Sequence, residues 1–381
     1  MKGVLLSLKG SRTFFFFDFM NAKMKKAFRN PAFCIEKNMT YNSGKNTLKI
    51  IAAFIVGIIA LLMGICLGSV NIQLTDTFSI IMAKLSGSAV KESVDPSLIS
   101  ILWEIRIPRA LCAFFVGGAI AVSGAVIQSI LQNPLASSYT LGVSSGACLG
   151  AAIVIITGIG GAFLGYFLLP AVGFGCGLLT VLLVILVATG LDSGFKNHTI
   201  ILFGMIFSLF VNAIMTMLSA LNKSHMQRLI LWQLGTFSGR RFAHVAVIFV
   251  CLIIGMILIM LFHRELDILS FGDEEAQAVG VDNKRTKIIL LILASFLTGV
   301  SVCFTGVIGF VDLTIPHIVR RIYGSAHKVV VPMSLILGGA FMTICDLLAR
   351  TLMAPQEIPI GAITAFVGAP FFLWVYYKRR T

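Results

Sequence analysis

Asp312 and His317 sit five positions apart in the apolar run Gly309-Phe-Val-Asp-Leu-Thr-Ile-Pro-His317. An acid and an imidazole at membrane depth are the groups an ion-coupled carrier keeps, because an ionisable side chain in hydrocarbon is costly unless it serves a pathway or finds a partner. Asp346 and Arg350 lie four apart near the end of a later apolar run. That spacing places them on one helix face as a pair satisfying both charges, with Arg350 also open to an external partner. Gly142-Val-Ser144-Ser-Gly146 has the G-x-S-x-G spacing of an activated serine, with His317 as the base it would need. Such a serine requires a strand before the motif. The flanks here read as small-residue membrane helix, so packing is the stronger reading.

Asp273-Glu274-Glu275-Ala276-Gln-Ala-Val-Gly280, preceded by Gly272, is the most hydrophilic internal segment. Its acids suit a helix N-terminus, and the segment is either a solvated loop helix or a docking helix for another subunit. No G-x-x-x-x-G-K-[ST] pattern occurs, so any nucleotide is bound by another chain. The eight cysteines are scattered without a C-x-x-C pair and read as small packing residues, not as a metal or disulfide framework.

The elements that position these groups follow from composition. The chain has 381 residues, 57% hydrophobic and 12% charged, with a mean hydropathy of +0.96. A soluble domain holds about 25% charged residues, so the apolar surplus here has lipid as its solvent. Continuous runs without alternation exclude a β-barrel and predict an all-α polytopic membrane protein. At about 20 residues per span, ten elements are expected, near 47–69, 108–131, 141–158, 162–190, 198–220, 243–262, 285–305, 308–321, 330–350 and 360–377. The eighth is short, and its Gly306, Gly309 and Pro316 predict a broken helix. Residues 47–381 thus form one transmembrane domain. The basic segment 1–46 before it reads either as a cytoplasmic stretch on anionic lipid or as an over-long start, with translation from Met24 or Met39.

The net charge of +14 reflects the positive-inside rule, not nucleic-acid binding. Ten elements put both termini on the cytoplasmic side of the cell membrane, together with Arg320, Arg321 and Lys328. Arg106, Arg109, Lys223, Arg228, Arg240, Arg241 and Arg350 then fall near the outer face, against the rule. An acidic partner docking from outside explains them. Gly142, Gly146 and Gly150, and Gly117, Ala121 and Ala125, recur every four residues, as closely packed membrane helices require.

Several motifs in order resemble the permease family of type II ABC importers for iron complexes, haem and vitamin B12. They are Arg106-Ile-Pro-Arg109, Gly124-Ala-Val-Ile-Gln128, Asn133-Pro134-Leu-Ala, Leu141-Gly-Val-Ser-Ser-Gly-Ala147, Trp232-Gln-Leu-Gly235, Gly272-Asp-Glu-Glu-Ala276 with Gly280, and Gly306-Val-Ile-Gly-Phe310. Ile315-Pro316-His317-Ile-Val-Arg320, Asp346-Leu-Leu-Ala-Arg350, Ile358-Pro-Ile-Gly361 and Gly368-Ala-Pro-Phe-Phe372 complete the set. The resemblance implies a ten-helix permease that pairs with a second protomer, as a homodimer or heterodimer. Two ATPase subunits would dock on Gly272 to Ala276 and Gly280 and carry the ATP, the permease itself binding no cofactor. An extracellular substrate-binding lipoprotein would dock through Arg106, Arg109 and Arg350. Gln128, Asn133, Pro134, Gly142, Ser144, Gly146, Asp312, Pro316 and His317 would form the pathway and its packing. The commonest cargo of the family is an iron complex, and haem, cobalamin or an ion-coupled mechanism are the alternatives. Two departures stand out. Asp312 replaces the family's usual Gly, and Ser137-Ser138 its usual Asp-Pro. Asp312 is therefore expected to line the pathway or to pair across the dimer.

Overall fold

The computed structural model describes residues 43–68, 73–87, 95–159, 165–192 and 194–377. Residues 1–42 and Lys378-Arg379-Arg380 lie outside these, and with them nearly all of the basic N-terminal segment. Among the described residues no strand occurs, in keeping with the continuous apolar runs.

The helices in chain order are α1 (Ser43–Cys66), α2 (Leu74–Ser86), α3 (Pro96–Ile130), α4 (Val143–Thr157), α5 (Gly165–Leu191), α6 (Asn197–Leu221) and α7 (Met226–Gln233). There follow α8 (Phe242–Met260), α9 (His263–Leu269), α10 (Asp273–Ala278), α11 (Asn283–Thr305), α12 (Val311–Tyr323), α13 (His327–Thr351) and α14 (Ile360–Tyr377). Seven are long and apolar enough to cross a membrane: α1, α3, α5, α6, α8, α11 and α13. The shorter α4, α12 and α14 supply the remaining three of the ten expected elements. The stretch after Gln73 also contains a helix, α2, that its polarity concealed.

α3 and α11 are almost wholly enclosed, whereas α1 and α6 turn most of their apolar residues outward. No hydrophobic drive separates helices from lipid, so contact depends on small residues. α3 and α13 meet at Gly117 and Gly338, where a Cβ added at Gly338 would fall 2.6 Å from the Gly117 carbonyl oxygen. The row Gly142, Gly146, Gly150 does the same for α4, lying against Thr180, Cys176 and Val172 of α5. This is the packing role the spacing predicts.

Two stretches inside the bundle are not helical. Residues 131–142 turn back from the end of α3 before α4 begins, and 306–310 break the chain between α11 and α12, where Phe310 takes a left-handed φ of 70°. Irregular backbone among membrane helices survives only where protein covers it. Here the two breaks cover each other, the Tyr139 hydroxyl donating to the Ile308 carbonyl. The bundle has two ends. His327, Asp267 and the α9–α10 hairpin mark one, and Arg106, Arg350 and Phe242 the other.

Candidate functional site

Pro316, inside α12, sets the geometry of that helix's first turn. It has no N–H, so the Asp312 carbonyl four residues earlier loses its helical donor. Gln128 of α3 replaces that donor, its Nε2 lying 2.9 Å from the Asp312 oxygen. The reach depends on Gly124, one turn earlier, where an added Cβ would stand 2.6 Å from the Asp312 Cα. Gly124→Ala is therefore expected to push α12 off α3, at a cost of about 1–3 kcal/mol or more, read as a lower thermal midpoint in detergent and lost uptake. A variant matching the parent in both would contradict this close approach.

The Asp312 side chain is 0% exposed and accepts a hydrogen bond from the Ser137 hydroxyl. In this structure the carboxyl is enclosed within the protomer and does not stand at its surface. The N-terminus of α12 is packed against the 131–142 turn, and that packing directs the carboxyl inward. Ser137 and Asp312, two positions at which the chain departs from the pattern it resembles, are thus one contact. A hydroxyl chain continues behind it, Thr298 donating 2.8 Å to Ser123 and lying 2.8 Å from the Ser138 hydroxyl.

A cavity of about 680 Å³ opens at the His327 end, lined by Gln128, Asn133, Pro134, His317, Arg320 and His327 among others. Four sequence-predicted pathway residues (Gln128, Asn133, Pro134 and His317) thus come together, while Asp312, Pro316, Gly142, Ser144 and Gly146 do not line it. His317 therefore faces the cavity, while Asp312 lies away from it. Arg320 donates to Gln128 Oε1 at 2.6 Å, to the Ala125 carbonyl at 2.8 Å and to Ser129 Oγ at 2.9 Å. Ser129 Oγ lies 2.6 Å from His327 Nε2, and His327 Nδ1 lies 2.6 Å from Asp267 Oδ1. The order acid, imidazole, hydroxyl is that of a nucleophilic triad. Yet Ser129 is 6% exposed and already bonded to Arg320, so the chain ties α9 to α3, α12 and α13. Ser144 merely opens α4, and its neighbour Ser145 donates to the Gly142 carbonyl at 3.1 Å.

Beside this cavity stands the α9–α10 hairpin. Asp273 is held from below, with Lys287 Nζ 2.6 Å from its carboxylate and Asn283 Nδ2 2.5 Å from its carbonyl. Lys287 is anchored in turn on Asn197 at 2.6 Å. Ala276 is buried, and Gly272 and Gly280 bound the turn, both with positive φ. Glu274 and Glu275 face outward, flanked by Phe271 and Val279, which are 80% and 71% exposed. Two large apolar side chains standing free beside acids form a contact surface on a rigid mount.

At the opposite end the three arginines turn inward. Arg109 grips Asp346 with Nε at 3.0 Å and Nη2 at 2.9 Å, and Glu357 with Nη1 at 2.5 Å. Arg350 donates to the Gly64 carbonyl and lies 3.7 Å from Asp346. Arg106 donates to the Cys66 carbonyl at 2.9 Å. The principal partner of Asp346 is thus Arg109, across the α3–α13 contact, and not its i+4 neighbour. The sequence carried no signal for Glu357, the one solvent-reaching acid in this cluster, with a side chain 40% exposed.

The model of the FecCD transport family matches residues 55–378. The chain belongs to the FecCD transport family. It is 35% identical over 333 residues, 86% of this chain and 94% of the other, to the uncharacterized ABC transporter permease protein YvrB of Bacillus subtilis (strain 168). It is 36% identical over 286 residues, 74% of each chain, to the cobalamin import system permease protein BtuC of Halobacterium salinarum. A solved structure described as an inward-facing metal-chelate type ABC transporter superposes with a TM-score of 0.75 at 27% identity, over 87% of this chain and 99% of that one. The FecCD-family chain is a multi-pass membrane permease of an ABC importer. The FecCD membership also places the Gly124, Gln128 and Pro316 geometry in context, since these residues fall in the motifs that carried the resemblance.

Proposed function

We propose that this permease moves a ferric siderophore or related iron complex into the cell, using ATP hydrolysed by separate subunits. The observation that carries the reading is the mounted α9–α10 surface. It offers Phe271, Val279, Glu274 and Glu275 to a soluble partner beside the larger cavity. In this reading the His327 end is cytoplasmic, both termini lie there, and two ATPase subunits dock on Gly272 to Gly280. A second permease protomer completes the pathway. An acidic substrate-binding lipoprotein docks at the other end, where its carboxylates take the place of Glu357 on Arg109, with Arg106 and Arg350 beneath. Beside the cobalamin permease of Halobacterium, the relatives include a hemin permease and an Fe(3+) dicitrate permease, which supports an iron complex as the cargo.

Phe271→Ala together with Val279→Asp is expected to abolish recovery of an ATPase with the tagged permease while leaving its own yield unchanged. Full ATPase recovery with the double variant would exclude the hairpin as the docking surface. The reading itself is tested by tagging the protein in its native host, extracting it in mild detergent and identifying its companions by mass spectrometry. A P-loop ATPase and an acidic surface lipoprotein are expected. Recovery of the permease alone, with proton-dependent transport in vesicles, would overturn the proposal in favour of an ion-coupled carrier.

A further inference from the structure

Four arginines of the bundle have partners: Arg109 has Asp346 and Glu357, Arg350 has Asp346 and the Gly64 carbonyl, Arg106 has the Cys66 carbonyl, and Arg320 has Gln128 and Ser129. Arg240 is different. It stands in the turn before α8, at the Arg106 end, on the wall of a second cavity of about 250 Å³. Trp232, Phe304, Pro170, His244 and Ser238 share that wall, and no acid is among its described lining residues. The side chain is half-buried, and its Nε, like that of Arg350, is enclosed with no hydrogen-bond partner among the described residues. Burial pulls its pKa down. His244 supplies no negative charge, since its Nδ1 accepts the Arg241 backbone N–H at 3.1 Å, which leaves the ring proton on Nε2.

A guanidinium carries five N–H donors in a rigid fork and no acceptor, and it stays charged at neutral pH. One that is half-buried beside apolar walls gains from an anion, and the group that fits the fork with two parallel bonds is a carboxylate. Apolar walls on Trp232 and Phe304 exclude water and strengthen such a pair. The volume lies below the range of about 300–1,000 Å³ that holds a whole drug-sized ligand. It admits one carboxylate arm and not a complete chelate.

We propose that the Arg240 cavity is a subsite for a carboxylate arm of the transported solute, so that the cargo is an anionic, carboxylate-bearing metal complex. This rests on the importer reading, and it separates a carboxylate-type iron complex from a neutral or cationic one. Arg240 positions the cargo and performs no chemistry on it.

The test is calorimetric titration of the full-length permease, purified in mild detergent with the partners it retains, with citrate, ferric citrate and the neutral triethyl ester of citrate. Both citrate forms are expected to bind and the ester is not. Arg240→Gln is expected to weaken binding about tenfold or more, as for loss of a charged hydrogen-bond partner. Arg240→Lys keeps the charge without the fork and should fall between. Arg228→Gln, which removes an exposed charge at the same end, should leave binding unchanged. The Lys and Arg228 variants keep the test valid should Arg240→Gln fail to fold. Equal binding by the parent and Arg240→Lys, binding of the ester as tight as citrate, or no binding of citrate would overturn the proposal. So would citrate binding that survives Arg240→Gln while lipoprotein docking is lost, which would assign the pocket to a protein carboxylate. None of these outcomes alters co-purification of the ATPase, so failure here is distinct from failure of the importer reading.

Discussion

Ser137→Asp alone is expected to cost the protein its fold, and adding Asp312→Gly is expected to restore it. Ser137 and Asp312 are 4% and 0% exposed and joined by one hydrogen bond. A second carboxyl at 137 would face the first with no cation between them, and two acids sharing one buried site cannot both ionise. One must hold a proton, and one buried oxygen is left over, at a cost of a few kcal/mol. The double variant moves the acid from α12 to the turn, the arrangement implied by the pattern the chain resembles. Protein recovered from membranes and the thermal midpoint in detergent give the readout. A tolerated single variant, or a double variant worse than the single, would show that the two positions are not coupled.

Asp346→Ala has the other large expected effect. The carboxylate is 1% exposed and takes three hydrogen bonds from Arg109, while Arg350 stands 3.7 Å away. Its loss strips the buried guanidinium of Arg109 of its main partner, at about 3–5 kcal/mol, seen as a large fall in the thermal midpoint. Combining Asp346→Ala with Arg109→Met should recover much of the loss, because an apolar side chain of similar length needs no partner. Rescue by Arg350→Met in place of Arg109→Met would instead make the i,i+4 pair the principal one.

These two predictions mark where sequence reasoning succeeded and stopped. The apolar runs located every long helix, because a span is a local property of composition, although α3 begins at Pro96 and not near residue 108. The broken eighth element was legible for the same reason, from Gly306 and Pro316. The small-residue rows announced close packing without naming the partner helix, since spacing carries one face of a contact only. Partners distant in the chain were not legible. The Asp346–Arg109 bond spans 237 positions and Ser137–Asp312 spans 175. The i,i+4 rule offered Arg350 because it is blind to the neighbouring helix. Asp267, His327 and Ser129, which knit one end together, carry no motif at all. The hairpin acids were visible as a hydrophilic island, yet the mount beneath them, Lys287 on Asn197 and Asp273, needed the fold.

The central claim is import driven by ATP on a partner subunit. It is tested most directly by reconstituting the permease with its co-purifying ATPase and lipoprotein into sealed vesicles and following radioactive iron complex from the lipoprotein side to the ATPase side. Uptake that requires ATP, stops when the ATPase is inactivated and ignores a collapsed proton gradient is the predicted result. Uptake that proceeds without ATP and fails when the proton gradient is collapsed would contradict the account.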